Sequence, residues 1–288
     1  YCIIIGEKWN DNCTWYSMNK AILFKALQRS HKYRNPDPIF EMTDSTVFTK
    51  IELQSATEYI EKLQSLGVRY TYPGDENYPL SFYKMIEPPL FLEYIGHPCW
   101  NRMNSMAVVG SRDCHDLTVQ WINTQLIPFL KIEEIALVSG GAIGVDLKCH
   151  VAALRSGRPT VVVLPCGLGQ IYPKDVQYLV AEIINGGGAV VSEFEQQQKI
   201  HKSFFYFRNR LIATLGRVCF VMQAGVKSGT MLTVHHALQN GRPVAVIPAH
   251  PGLSEFAGNV KLINEGAFSI TDSVSLYDFW KAESWSSY

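Results

Sequence analysis

Between residues 106 and 275 the chain alternates short, continuous apolar segments with stretches of helical length. The apolar segments are 107–109, 135–138, 160–164, 218–222 and 244–247, with 189–191 as a further one. The stretches between them run over 117–131, 145–156, 176–184, 208–215 and 230–240. A strand buried on both faces is apolar at every position, whereas a strand with one wet face is apolar at every second position. Buried strands alternating with helices therefore predict an α/β fold, a mostly parallel sheet covered on both faces. Right-handed crossovers make that sheet doubly wound and Rossmann-like. None of the apolar segments is long enough to span a bilayer.

In such sheets ligands bind beyond the carboxyl ends of the strands. The segments found there are Gly110-Ser111-Arg112, Ser139-Gly140-Gly141-Ala142, Pro165-Cys166-Gly167-Leu168-Gly169 with Tyr172-Pro173-Lys174, Gly225-Val226-Lys227-Ser228-Gly229 and Pro248-Ala249-His250-Pro251-Gly252. They are rich in Gly, Ser and cations, and several open helices. Free backbone N–H groups at a helix start, with glycine allowing close approach, make anion sites. Arg112, Lys174 and Lys227 on one edge point to a phosphate-rich ligand.

Charge is sorted along the chain. Lys plus Arg and Asp plus Glu each number 26, so the net charge is zero. Yet from 196 to 254 every formally charged residue is basic: Lys199, Lys202, Arg208, Arg210, Arg217, Lys227 and Arg242. Near the start of this stretch, Phe205-Tyr206-Phe207 runs straight into Arg208-Asn209-Arg210. Aromatic faces beside guanidinium groups suit a polyanion that carries stackable bases. Arg217 and Arg242 precede strands, which places them on the opposite edge of the sheet.

The remaining segments carry less chemistry. Residues 1–70 read as a small helical accessory domain, with one helix over 17–30 and a second entered through the capping box Ser55-Ala56-Thr57-Glu58 and closed at Gly67. Asn35-Pro36-Asp37-Pro38 breaks the run between them. Residues 71–105 form a connecting segment with a strand, and 276–288 a C-terminal tail. The 7 cysteines are odd in number and lack C-x-x-C spacing, which predicts reduced thiols in a cytoplasm. No P-loop or dinucleotide fingerprint is present, so no cofactor is expected. Asp146 reads as a helix-start carboxylate that caps backbone donors. His235-His236 and Ser192-Glu193 supply no nucleophile, base and orienting group together, so the chain reads as non-catalytic with no metal site.

Taken in order, further motifs complete a series: Tyr78-Pro79-Leu80, Pro88-Pro89 through Tyr94-Ile95-Gly96, Val108 to Arg112, Ser139 to Asp146, Ser192-Glu193-Phe194, Arg208 to Ala213, Ser228-Gly229-Thr230, Gly241-Arg242 and Asn264-Glu265-Gly266-Ala267. This series resembles the DNA-processing protein A family (DprA, also called Smf) over residues 68–270. The resemblance implies a Rossmann-type protein that binds single-stranded DNA, protects it and loads a RecA-type recombinase during DNA uptake or recombination, commonly as a homodimer. Carried over by position, Arg112, Lys174, Lys202, Arg208 and Arg210 would line the DNA groove. Gly110, Ser111, Ser139, Gly140 and Gly141 would offer donors to phosphates, Asn209 would hold the loop or a base edge, and Phe207, Lys227 and Ser228 would complete the interface.

The chain departs from the family pattern at several places. Phe205-Tyr206-Phe207 stands where Phe-Pro is usual before Arg-Asn-Arg, Gln223 where Glu is usual, and Gly169 where Asp is usual. These mark a divergent member with a more positive ligand edge. A second reading is a nucleoside-phosphate hydrolase, or a nucleotide-sensing module, of the related lysine-decarboxylase-like group. That group resembles P-G-G-x-G-T-x-x-E, and here Thr233 occupies the position of its glutamate.

Overall fold

The computed structural model describes residues 19–30, 48–101 and 104–285. Contacts divide the chain into two compact units, Tyr1–Ile95 and Gly96–Tyr288. The boundary falls inside the segment read as a connector. The expected helix start at residue 17 and the break at 35–38 lie outside the described residues.

In the first unit, α1 (Lys20–Ser30) buries Leu23, Phe24 and Leu27, and α2 (Lys50–Ser65) buries Leu53, Ile60 and Leu63. The capping box is Thr49 with Glu52, not Ser55 with Glu58. The Thr49 hydroxyl accepts from the Glu52 N–H at 3.2 Å, and the Glu52 carboxylate accepts from the Thr49 N–H at 2.7 Å. Both tetrads fit the pattern, but Thr49 follows the buried Phe48 and precedes the buried Leu53, the spacing of a hydrophobic staple. Gly67 closes α2 at φ 67°, with Val68 N–H bonded to the Leu63 carbonyl, as left-handed caps do. Strands β1 (Arg69–Thr71) and β2 (Leu92–Gly96) pair antiparallel. Within this unit Lys25 is fully buried, its Nζ 3.4 Å from Oε1 of Glu93 and over the rings of Tyr59 and Phe91.

The second unit is the predicted doubly wound layer. Its strands are β3 (Asn104–Gly110), β4 (Ile135–Ser139), β5 (Thr160–Val163), β6 (Ala189–Ser192), β7 (Val218–Gln223), β8 (Val244–Val246) and β9 (Phe268–Ser269). They lie in the order β6-β5-β4-β3-β7-β8-β9, and each neighbouring pair is parallel. The interior strands are buried along almost their whole length, which explains their unbroken apolar sequence. The chain winds outward from β3 to β6, then returns to lay β7 on the other side of β3. The order therefore reverses between β3 and β7, and a crevice forms at such a switch point.

The helices are α3 (Asp116–Trp121), α4 (Ile127–Ile132), α5 (Val145–Arg155), α6 (Lys174–Asn185), α7 (Phe204–Leu215), α8 (Gly229–Gln239), α9 (Ala257–Asn264) and α10 (Ser273–Trp285). A π turn, Ile122–Leu126, separates α3 from α4 and sends the Ile127 N–H to the Ile122 carbonyl. Pro128 comes directly after; lacking an N–H and crowding the carbonyl four residues back, it disfavours regular α geometry there. Residues 276–285, set apart in the sequence as a tail, belong to α10, whose Leu276, Phe279 and Trp280 are buried in the same cluster as Phe129, Phe220 and Ile270. No described helix is long and apolar enough to cross a membrane.

Candidate nucleic-acid interface

The switch-point crevice is a cavity of about 420 Å³. From the end of β3 and the loop after it come Gly110, Ser111 and Arg112; from α7 come Phe205, Arg208, Asn209 and Ile212; from the start of α8 come Ser228, Gly229 and Thr230. Gly110 is required by packing, since a β-carbon there would lie 2.6 Å from Cγ1 of Val145. α7 starts at Phe204, four residues earlier than 208, so the aromatic run is helical. Positions 205, 208, 209 and 212 follow helical spacing onto one face, which brings Phe205, rather than Phe207, to the cavity. Phe207 is 41% exposed and stands outside it.

Arg208 lies beneath the cavity, 4% exposed, with Nη1 donating to the Val163 carbonyl at 2.9 Å. Burial pulls its pKa down to about 10, opposed by the Asp146 carboxylate, so it remains cationic at neutral pH. The Phe205 ring centroid is 5.0 Å from the guanidinium carbon of Arg112 and 5.7 Å from that of Arg208. Both distances are in the cation–π range.

Asp146 lies at the start of α5 and caps backbone donors, but these belong to the preceding loop and not to the helix, whose N-cap Gly144 gives no side-chain bond. Its Oδ2 accepts from the N–H groups of Gly140 at 3.1 Å and Ala142 at 3.4 Å. Burial raises its pKa, while Arg208 and these N–H groups work in the opposite direction. The Gly140 N–H is thus committed to Asp146. Ser139 is fully buried and its hydroxyl donates to the Val108 carbonyl. Gly141, at φ 69°, is buried against Val176 and Val162. None of these three lines the 420 Å³ cavity. Gly140 borders a smaller adjoining hollow with Arg112, Tyr172 and Arg208.

Arg210 does not join Arg208. Its Nη2 lies 2.6 Å from both oxygens of Glu193, and it does not line the cavity. Two helix positions separate the arginines, about 200° of turn, so adjacency in sequence does not carry over to space. Lys174, Lys202 and Lys227 are exposed and stand outside the cavity lining. Asn209 donates weakly, at 3.5 Å, to the Gly229 carbonyl.

Two buried polar atoms of the cavity residues lack a hydrogen-bond partner among the described residues: Nε of Arg208 and Oγ of Ser228. Ser228 precedes α8, and its side chain does not cap that helix. The N–H groups of Gly229 and Thr230 have no acceptor among the described residues. Arg208, Ser228 and the start of α8 thus line one cavity, a set of donors of the kind that binds an anionic oxygen.

The loop after β3 is held by Gln223, which is 1% exposed. Its Oε1 accepts from the His115 N–H at 2.9 Å and the Thr118 hydroxyl at 3.0 Å, and its Nε2 donates to the Asp113 carbonyl at 2.9 Å. An ionised glutamate could supply the acceptor but not the donor.

Residues 69–281 match the family described as DNA recombination-mediator protein A. The DNA processing protein DprA of Streptococcus pneumoniae is 35% identical over 199 residues, 68% of this chain and 69% of that protein. Protein Smf of Synechocystis is 31% identical over 214 residues, 73% of this chain but 53% of that protein, so the chain spans about half the length of this relative. Among solved structures, the X-ray structure of DNA processing protein A from Streptococcus pneumoniae superposes with a TM-score of 0.70 at 26% identity, covering 91% of this chain and 93% of that one. DNA processing protein A from Helicobacter pylori, whose structure concerns its mode of binding single-stranded DNA, gives a TM-score of 0.66 at 28% identity, covering 75% of this chain and 97% of that one.

Proposed function

Because this chain belongs to the DNA recombination-mediator protein A family, we propose that it binds single-stranded DNA at the switch-point cavity between β3 and β7. The observation that carries the reading is that Arg112, Arg208, Ser228 and the start of α8 line one cavity. A backbone phosphate suits such a set of donors. Lys174, Lys202 and Lys227 extend the positive surface for neighbouring phosphates, and Phe205 adds an aromatic ring held by cation–π contact with Arg112 and Arg208.

In this reading the protein is a non-catalytic mediator, acting as a homodimer that delivers the strand to a RecA-type recombinase in the cytoplasm. The family's description as a recombination mediator supports the partner. The absence of disulfides at Cys99, Cys114, Cys149, Cys166 and Cys219 fits a reducing compartment. Thr233 lines the cavity where the related hydrolases carry glutamate, and the buried Asp146 is engaged by the loop, which favours binding over hydrolysis. Competition of labelled oligo-dT with duplex and with free nucleoside monophosphates tests the reading. Preference for the single strand, with the monophosphates recovered intact, is expected; release of free base would favour the hydrolase.

A further inference from the structure

A second cavity, of about 380 Å³, opens beyond the carboxyl end of β8, with Leu117, Trp121, Ile247, His250 and Phe256 in its walls. None of the described residues lining it is Lys, Arg, Asp or Glu, whereas Arg112, Arg208 and Asp146 line the first cavity. The two are adjacent along the chain. Ser111 and Arg112 border the first, and Leu117 and Thr118 border the second. Gln223 bonds to Asp113, His115 and Thr118 and so fixes the backbone between them.

The walls are held by contacts within the chain. The Trp121 ring meets Phe220 edge-on at 5.4 Å, and its Nε1 donates to the Thr271 carbonyl at 3.2 Å. Phe256 packs edge-on against His115 at 5.7 Å. Thr124 and Gln125 line the cavity from the π turn, a distortion that recurs at functional sites. The Gly252 N–H donates to Nδ1 of His250 at 3.0 Å, which leaves Nε2 as the donor nitrogen of the neutral ring. The Gln120 amide, an acceptor and a donor on one planar group, is exposed beside it.

An uncharged hollow walled by aromatic rings, with an imidazole N–H and an amide in its lining, suits a planar heterocycle and not a phosphate. We propose that this cavity is a second subsite of the interface, taking the nucleobase of a nearby nucleotide in the strand whose phosphates lie at Arg112 and Arg208. It rests on the single-strand reading of the first cavity. Charge is divided accordingly: the first cavity holds the anion, and the second holds a neutral ring.

Nucleosides lack phosphate and separate the two sites. Thymidine and deoxyadenosine are titrated into the full chain while the Trp121 indole N–H resonance, assigned with Trp121→Phe, is followed. A saturable shift is expected in the wild type and in Arg112→Ala, and none in Ala249→Trp, which fills the cavity from a half-exposed position. Ala249→Trp is also expected to weaken oligo-dT binding roughly tenfold, the worth of one stacked base. No shift in the wild type, a shift that persists in Ala249→Trp, or one lost in Arg112→Ala overturns the subsite. Failure of the first-cavity reading has a different signature: oligo-dT binding unaltered by Arg112→Ala.

Discussion

A β-carbon built on Gly140 would lie 1.7 Å from Nη1 of Arg208. The glycine is therefore the space in which the buried guanidinium rests while it donates to Val163. Gly140→Ala must displace Arg208 or lift the loop that Asp146 holds. Loss of one charge-assisted contact of about 1–3 kcal/mol predicts oligo-dT binding weakened by roughly tenfold or more. Fluorescence anisotropy at fixed salt measures it; unchanged affinity would mean that Arg208 does not act from this position.

Arg210 serves the fold. Its side chain and that of Glu193 are 9% and 18% exposed, and removing one partner of a largely buried pair costs about 3–5 kcal/mol. Arg210→Ala is expected to lower the urea midpoint strongly and to leave the salt dependence of DNA binding unchanged. A slope reduced by about 0.7, the share of one single-strand phosphate, would return Arg210 to the interface.

Gln223→Glu tests why glutamine replaces the family's usual glutamate. The change removes the donor to the Asp113 carbonyl and places a carboxylate at a position 1% exposed. A buried donor lost in this way costs about 1–3 kcal/mol. Denaturant unfolding should show that loss at neutral pH, with partial recovery on acidification as the carboxylate takes up a proton and can donate again. Equal stability at neutral pH would contradict this account of the loop.

His150 sets an acid limit on stability. Burial pulls its pKa from 6.5 to about 3, so the unfolded chain binds the proton more readily than the folded one. Stability is complete above about pH 6.5 and is lost progressively as pH falls toward 3. Asp146, raised by burial, acts in the opposite sense: its proton is held more tightly in the folded state, which offsets part of the acid loss just above pH 3.8. Unfolding free energies at pH 7, 5.5 and 4.5 should fall less steeply in His150→Gln than in the wild type. Parallel profiles would exclude His150 as the responsible group.

Much of this arrangement is legible in the residues. Short β-branched segments such as 160–164, alternating with helix-length stretches, read as strands covered on both faces, and the segments at the carboxyl ends of those strands include Gly110-Ser111-Arg112 and Ser228. The hidden part depends on helix phase and side-chain packing. With α7 started at 208, Phe205 is only one member of an aromatic run; with the start at 204, its spacing to Arg208 and Ile212 becomes visible. Arg210 looks like Arg208 in sequence, and only the fold shows Glu193 facing it. The Thr49 and Ser55 tetrads both spell a capping box, and burial of Phe48 and Leu53 selects the first. Pro248-Ala249-His250, on one wall of the second cavity, is legible as a strand-end segment, but the π turn at 122–126 carries no pattern beyond Pro128, so the wall it supplies has no signature in the sequence.

The most direct measurement of the central claim is the salt dependence of binding to oligo-dT and to a duplex of equal length. With Arg112, Lys174, Lys202, Arg208 and Lys227 each meeting a phosphate, a log–log slope of about −3.5 is predicted for the single strand. The duplex should bind more weakly, and Arg112→Ala should bring the single-strand slope to about −2.8. Equal affinity for the two forms, or a slope that Arg112→Ala leaves unchanged, would contradict the assignment of this cavity to single-stranded DNA.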